Sequence, residues 1–153
     1  MEKVKTVAAI KDGTVIDHIP SGQALKILQL LRLSHSQCKI TVGLRLKSLS
    51  MNFKDLIKIE NRFLNEKEIY DVAVFTPDAT INIIQNYKVS SKIKAKLAPQ
   101  IENILICPNA RCITNSESID TLFFIEEFHK NIYLRCFFCE KKFQRDEVRE
   151  YRL

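Results

Sequence analysis

Four cysteines, Cys107, Cys112, Cys136 and Cys139, fall as C-x4-C and C-x2-C separated by 23 residues. Each pair is close enough for a tight knuckle to aim two thiolates at one ion. The interval is long enough for a strand pair to bring the second knuckle back and close a tetrahedron. The pattern predicts a structural Zn2+ site. Four thiolates leave no vacant position for substrate or activated water, so the metal is expected to supply folding free energy rather than chemistry. A disulfide framework and a redox dithiol at Cys136-Phe137-Phe138-Cys139 are the competing readings. Clustered cysteines in a reducing compartment favour metal over the first, and the presence of a second pair weighs against the second. The fifth cysteine, Cys38, reads as a small buried apolar residue.

Two further groupings carry polar chemistry. Asp17 and His18 are adjacent and could hold a polar ligand or do acid/base work, although an Asp-His pair at a strand end is more often structural. Lys54, Lys58, Lys88, Lys92, Lys94 and Lys96 form a loose cationic set, for which a solvated face is the bland reading. If Lys58 and Lys92 converge, they make a phosphate site in a chain that has neither a P-loop nor a Gly-rich dinucleotide fingerprint. Tyr87 could stack on a base there or simply fill the core. His35 and His129 lie in polar turn sequences and suggest nothing.

These residues need elements to position them. Apolar stretches at 4–10 and 15–19 flank Lys11-Asp12-Gly13-Thr14, which predicts a bent strand or hairpin because Asp-Gly tolerates positive φ. Ser21 is a candidate cap for a helix over 23–33, whose polar residues Gln23, Lys26, Gln29 and Arg32 recur every third position. Residues 38–47 alternate strictly, with Cys38, Ile40, Val42, Leu44 and Leu46 on one side, as a half-buried strand does. Residues 55–60 read as its partner. Asn65 and Glu68 form a capping box for a helix carrying Ile69, Val72 and Ala73, ended by Thr76-Pro77-Asp78. Residues 80–89 alternate again, placing Ile81, Ile83, Tyr87 and Val89 on one face. The order strand, helix, strand, strand, helix, strand is that of a ferredoxin-like α/β sandwich, an antiparallel sheet carrying two helices, here with an extra hairpin at the start. The lysine-rich stretch 90–99 is the candidate linker. Beyond it, strands at 101–106, 122–128 and 132–134 surround the cysteines in a small all-β, zinc-ribbon-like domain. The class is therefore α+β, with domains at 1–98 and 99–153.

The charge is divided in the same place. Residues 1–98 hold 16 Lys+Arg against 9 Asp+Glu, a balance of +7, whereas residues 99–153 hold 8 against 9, or −1. Four thiolates and one Zn2+ take the second part to −3. Anion binding therefore belongs to the first part, and the knuckles are expected to meet protein rather than nucleic acid. A zinc-ribbon nucleic-acid binder remains the alternative, motivated by a pI of 9.1. A small enzyme lacks a convincing nucleophile, base and oxyanion set. No apolar run approaches the roughly 20 residues of a membrane span, and no signal-like start is present, so no membrane partner and a cytoplasmic location are expected.

The stretches 12–20 (DGTVIDHIP), 54–61 (KDLIKIEN), Asn86-Tyr87, and Cys107-Pro108-Asn109 through Cys139-Glu140-Lys141 together resemble the regulatory chains of aspartate carbamoyltransferase, in order and with matching spacing over nearly the whole sequence. The resemblance implies a non-catalytic subunit controlling the first committed step of pyrimidine biosynthesis. CTP, with UTP in support, would inhibit and ATP would oppose it. It implies that Asp17, Lys58 and Lys92 match nucleotide-binding positions, with His18, Asn82, Tyr87, Val89 and the edge residues Val7, Ala9 and Ile10 lining the pocket. Cys107, Cys112, Cys136 and Cys139 match the zinc ligands, and Asn109, Glu140 and Lys141 match contacts to the catalytic chain. It further implies a regulatory-chain homodimer inside a hetero-oligomer of catalytic trimers and regulatory dimers. Arg111 and Phe138 depart from the pattern, where a small amide and a tyrosine are usual, and Lys3 and Lys5 do not fall in register with it.

Overall fold

The computed structural model describes residues 8–149 and 151–152. Residues 4–7 of the expected first strand, with Val7, lie outside them, as do Lys3 and Lys5. The chain divides into two compact units, Met1–Lys96 and Leu97–Leu153, each built on its own antiparallel sheet.

The first unit runs β1 (Gly13–Pro20), α1 (Ala24–Leu30), β2 (Ile40–Ser48), β3 (Asn52–Glu60), α2 (Glu66–Phe75), β4 (Thr80–Gln85) and β5 (Lys88–Lys94). The sheet order β2-β3-β1-β4-β5 is the ferredoxin-like arrangement with β5 added at one edge. The registers explain the layering. Val42, Ile57, Ile16, Ile81 and Ile93 lie opposite one another in a row across all five strands. Ile16, Ile57 and Ile81 in that row are fully buried. Helix α1 packs against α2 and against β3 and closes over it. Because successive strand residues point to opposite faces, the adjacent row emerges on the other side of the sheet.

Several local expectations change. Among the described residues, 8–12 form no strand ahead of Asp12-Gly13, and the rest of the expected hairpin lies outside them. Gly13, at φ 142, opens β1, and a Cβ there would collide with the Ile59 carbonyl oxygen. The Asp12 carbonyl accepts the Asn61 N–H at 2.9 Å and its carboxylate accepts the Asn86 N–H at 3.0 Å, which ties the ends of β3 and β4 together. Among the described residues, the hairpin added to the ferredoxin-like order is β4–β5. Its turn residues Asn86 and Tyr87 have φ of 52 and 65, the positive pair that a two-residue turn of this kind needs. A single strand over 80–89 does not form, and residues 90–94 of the expected linker belong to β5 (Lys88–Lys94).

Ser21 does not cap α1. The Gly22 and Ala24 N–H groups donate instead to the carboxylate of Asp55 on β3, at 2.9 and 3.3 Å. Helix α1 stops at Leu30, and Arg32 at φ 51 leads into a 3-10 turn, Leu33–His35. A bulge between Gly43 and Leu46, with Arg45 at φ 55, breaks the strict alternation of β2. Leu44 is left 51% exposed, whereas Leu46 packs on Ile10, Val15, Leu56 and Ile84. The capping box at α2 forms as read, with Asn65 Oδ1 accepting the Glu68 N–H at 2.9 Å and Glu68 Oε2 accepting the Asn65 N–H at 3.0 Å.

The second unit contains β6 (Gln100–Glu102), α3 (Ile113–Ser116), β7 (Leu122–Phe128), β8 (Asn131–Cys136) and β9 (Lys142–Gln144), with sheet order β6-β7-β8-β9. Its buried side chains include Ile101, Leu105, Phe123, Leu134 and Val148. It is not wholly β, because the one-turn helix α3 follows Cys112, and the strand expected over 101–106 ends at Glu102. Among the described residues no helix is long and apolar enough to cross a membrane.

Candidate metal centre and ligand face

Cys107 and Cys112 come from the segment between β6 and α3, Cys136 from the end of β8 and Cys139 from the turn into β9. Backbone bonds shape both knuckles. In the first, the Cys112 N–H donates to the Asn109 carbonyl at 2.9 Å; in the second, the Glu140 N–H donates to Cys136 O at 2.9 Å, with Glu140 at φ 61. Asn115 holds the first knuckle from outside, its amide donating to the Cys107 and Asn109 carbonyls at 2.9 and 2.8 Å. Sequence reasoning missed this role, for which the only signal is a side-chain amide three residues past a ligand.

The four sulfurs lie within 4.8 Å of one another, with Cys107–Cys139 and Cys112–Cys136 each at 3.7 Å. Four sulfurs at about 2.3 Å from one zinc ion define a tetrahedron with edges of about 3.8 Å. The thiol set therefore fits a single closed, tetrahedral Zn2+ site, and zinc there supplies folding free energy. Burial pushes the Cys107 and Cys136 thiols up, outweighing the backbone N–H groups that bond their sulfurs. Burial also pushes Cys139 up, but the Lys141 backbone N–H, the Asn109 side chain and the neighbouring sulfurs overcome it and bring Cys139 down to about 7.

On the first unit, the row opposite the helices reads Thr41, Lys58, Val15, Asn82 and Lys92 across β2, β3, β1, β4 and β5. It brings Lys58, Asn82 and Lys92 into line from three strands. The next row on that face pairs Asp17 with Thr80, and Thr80 with Lys94. Asp17 accepts the Lys54 ammonium at 2.8 Å and the His18 N–H at 2.7 Å. Ile10 packs in an apolar patch with Val15 of this row, Leu56 and Ile84. The Lys58 ammonium donates to the Ala8 carbonyl at 2.5 Å, which fixes it beside the edge segment. Val89 lies opposite Ile84 and is 58% exposed. Tyr87 is 65% exposed on the turn and is not a core residue; its N–H donates to the Lys11 carbonyl at 2.9 Å. Ala9 is exposed. His18 sits in the β1 bulge at φ 58, and its Nδ1 is buried with no hydrogen-bond partner among the described residues. Leu56, which floors this face, was missed, yet Lys54, Leu56 and Lys58 alternate in a way that signals it.

Residues 5–96 match the model of the aspartate carbamoyltransferase regulatory chain, allosteric domain, and residues 99–149 match that of the metal binding domain of the same chain. The chain belongs to this family. It is 43% identical over 152 residues to the aspartate carbamoyltransferase regulatory chain of Chromobacterium violaceum, covering 99% of this chain and 100% of that one. It is 44% identical over 142 residues to that of Shigella flexneri serotype 5b, 93% of each chain, and 43% identical over 144 residues to that of Vibrio cholerae, 94% and 93%. As a regulatory chain it is a non-catalytic subunit. Within the metal binding domain, Arg111, Glu140 and Lys141 are exposed on the knuckles, as is Phe138 at 36%. Asn109 is half-buried, its side chain accepting the Arg111 N–H at 3.2 Å.

Proposed function

We propose that the polar face of the first unit binds nucleoside triphosphates, with CTP and UTP inhibiting and ATP opposing them. The second unit then docks through Asn109, Glu140 and Lys141 on the catalytic chain of aspartate carbamoyltransferase. The assembly is a cytoplasmic hetero-oligomer of catalytic trimers and regulatory dimers. The observation that carries the ligand reading is the register row that aligns Lys58, Asn82 and Lys92, with Val15 between Lys58 and Asn82, and with Asp17 one row on. Lys58 and Lys92 meet phosphates, for which a compact ammonium on a long stem is suited. Asp17 and the backbone of residues 8–10 meet ribose and base, while Tyr87, Val89 and His18 flank them. Val7 continues the same edge segment. The charge balance of +7 on residues 1–98 supports an anionic ligand on this unit.

For control, each nucleotide must bind two quaternary states unequally, since equal affinity shifts no equilibrium. Titration of CTP into the zinc-loaded chain, followed calorimetrically, tests the site. Saturable binding is expected, weakened about 10- to 100-fold by Lys92→Ala or Lys58→Ala, the range for losing a hydrogen bond to a charged group. Absence of binding at nucleotide concentrations on the order of millimolar would overturn the site.

A further inference from the structure

Helix α3 begins directly after a metal ligand: Cys112 is its N-cap position and no side chain caps it. Thr114 within it is buried, and its hydroxyl lies 3.1 Å from the Cys112 sulfur. A four-residue helix has too few internal bonds to hold itself, and its last carbonyls lack intrahelical donors. Arg152, far along the chain, supplies one. Its Nη2 donates to the Thr114 carbonyl at 2.9 Å, and its Nη1 donates to the Ile119 carbonyl at 2.7 Å and to Asn103 Oδ1 at 3.0 Å. The Arg152 backbone is anchored as well, its N–H donating to Ile104 O at 2.7 Å. Tyr151 pairs antiparallel with Leu105, two residues before Cys107. Residues 151–152 thus hold the chain on both sides of the first knuckle, ahead of Cys107 through backbone pairing and beyond Cys112 through the guanidinium.

We propose that Arg152 is a positioning residue of the metal centre: by pinning α3 it keeps Thr114 on the Cys112 sulfur and slows loss of zinc from the first knuckle. Outer-shell partners of metal ligands affect metal affinity by about 10- to 100-fold when removed. Three acceptors shared between two nitrogens require a planar fork, which a lysine's single ammonium does not provide.

The test uses the full zinc-loaded chain with Arg152→Ala and Arg152→Lys. Zinc release into excess chromogenic chelator is timed well below each variant's unfolding temperature, and amide hydrogen exchange is mapped in parallel. Release about 10-fold faster for alanine and intermediate for lysine is expected. Exchange should rise over residues 113–119 and stay unchanged in β7 and β8. Wild-type release from the alanine variant would overturn the proposal. So would faster release accompanied by an equal rise of exchange in β7 and β8, which would make Arg152 a general stability residue. If the alanine variant does not fold, the lysine variant is read by the same two criteria.

Discussion

Asp55 is fully buried on β3, and its carboxylate accepts N–H groups from Gly22, Ala24 and Arg45, the last at 2.9 Å. A buried carboxylate is tolerated only when its lone pairs are satisfied. Here the same three bonds cap α1 and fix the β2 bulge. Asp55→Ala should destabilise the first unit by about 3 kcal/mol, because it strands three donors at once. Asp55→Asn, which keeps one acceptor oxygen, should cost less. Urea midpoints at unchanged slope measure both, and an alanine variant as stable as the parent would refute the role. The cysteines give a second prediction at this scale. Zinc binding requires deprotonated sulfur, and thiols such as Cys107 and Cys136, ordinarily at about 8.5, are protonated at neutral pH when no metal holds them. Acid therefore favours the metal-free state. From these two thiols alone, zinc affinity should fall about 100-fold for each pH unit of acidification. Chelator competition on either side of neutrality, corrected for the chelator's own titration, reads that slope, and a flat profile would contradict it.

At the scale of elements, the bulges decide which side chains count. Without its bulge, β2 would place Leu44 and Leu46 on one face. With it, Leu46 reaches the patch of Ile10, Val15, Leu56 and Ile84, and Leu44 meets water. Leu46→Ala should therefore cost about 1–2 kcal/mol, whereas Leu44→Ala should stay within about 0.5 kcal/mol of the parent. Thermal or urea unfolding of the pair distinguishes them, and equal effects would refute the change of phase. The β1 bulge between Ile16 and Ile19 acts on the ligand face in the same way, since Asp17 and His18 are the residues it displaces. It turns Asp17 towards Lys54 at 2.8 Å. Strand β4 lies beside β1 and carries Asn82 into the row between Lys58 and Lys92.

At the scale of the whole chain, the two units are compact by themselves, and the proposed function gives each a separate task. A unit as short as Leu97–Leu153 buries too little apolar surface to be secure alone, so its fold depends on the metal. Removal of zinc is expected to abolish co-elution with the catalytic trimer while leaving CTP binding within about twofold of the parent, because the ligand face draws on the other core. Gel filtration with the trimer and calorimetry on the same chelated sample check this. Retained co-elution after verified metal loss, or loss of CTP binding with it, would refute the division of labour.

The order of strands and helices, the Asn65–Glu68 capping box and the zinc ligands were legible in the sequence because each is a short-range pattern: period, cap, or ligand spacing. The family could be read in the same way, from motifs in fixed order. What the tertiary structure decided depends on contacts between residues far apart in the chain. The α1 cap comes from Asp55, 33 residues from Gly22. The bulges appear only in the pairing of β1 and β2 with β3 and of β4 with β5. The β4–β5 turn uses Asn86 and Tyr87 without a glycine to announce it. The alignment of Lys58, Asn82 and Lys92 is a matter of strand register. No local pattern specifies register; it is fixed only when the isoleucine row on the opposite face packs beneath the helices.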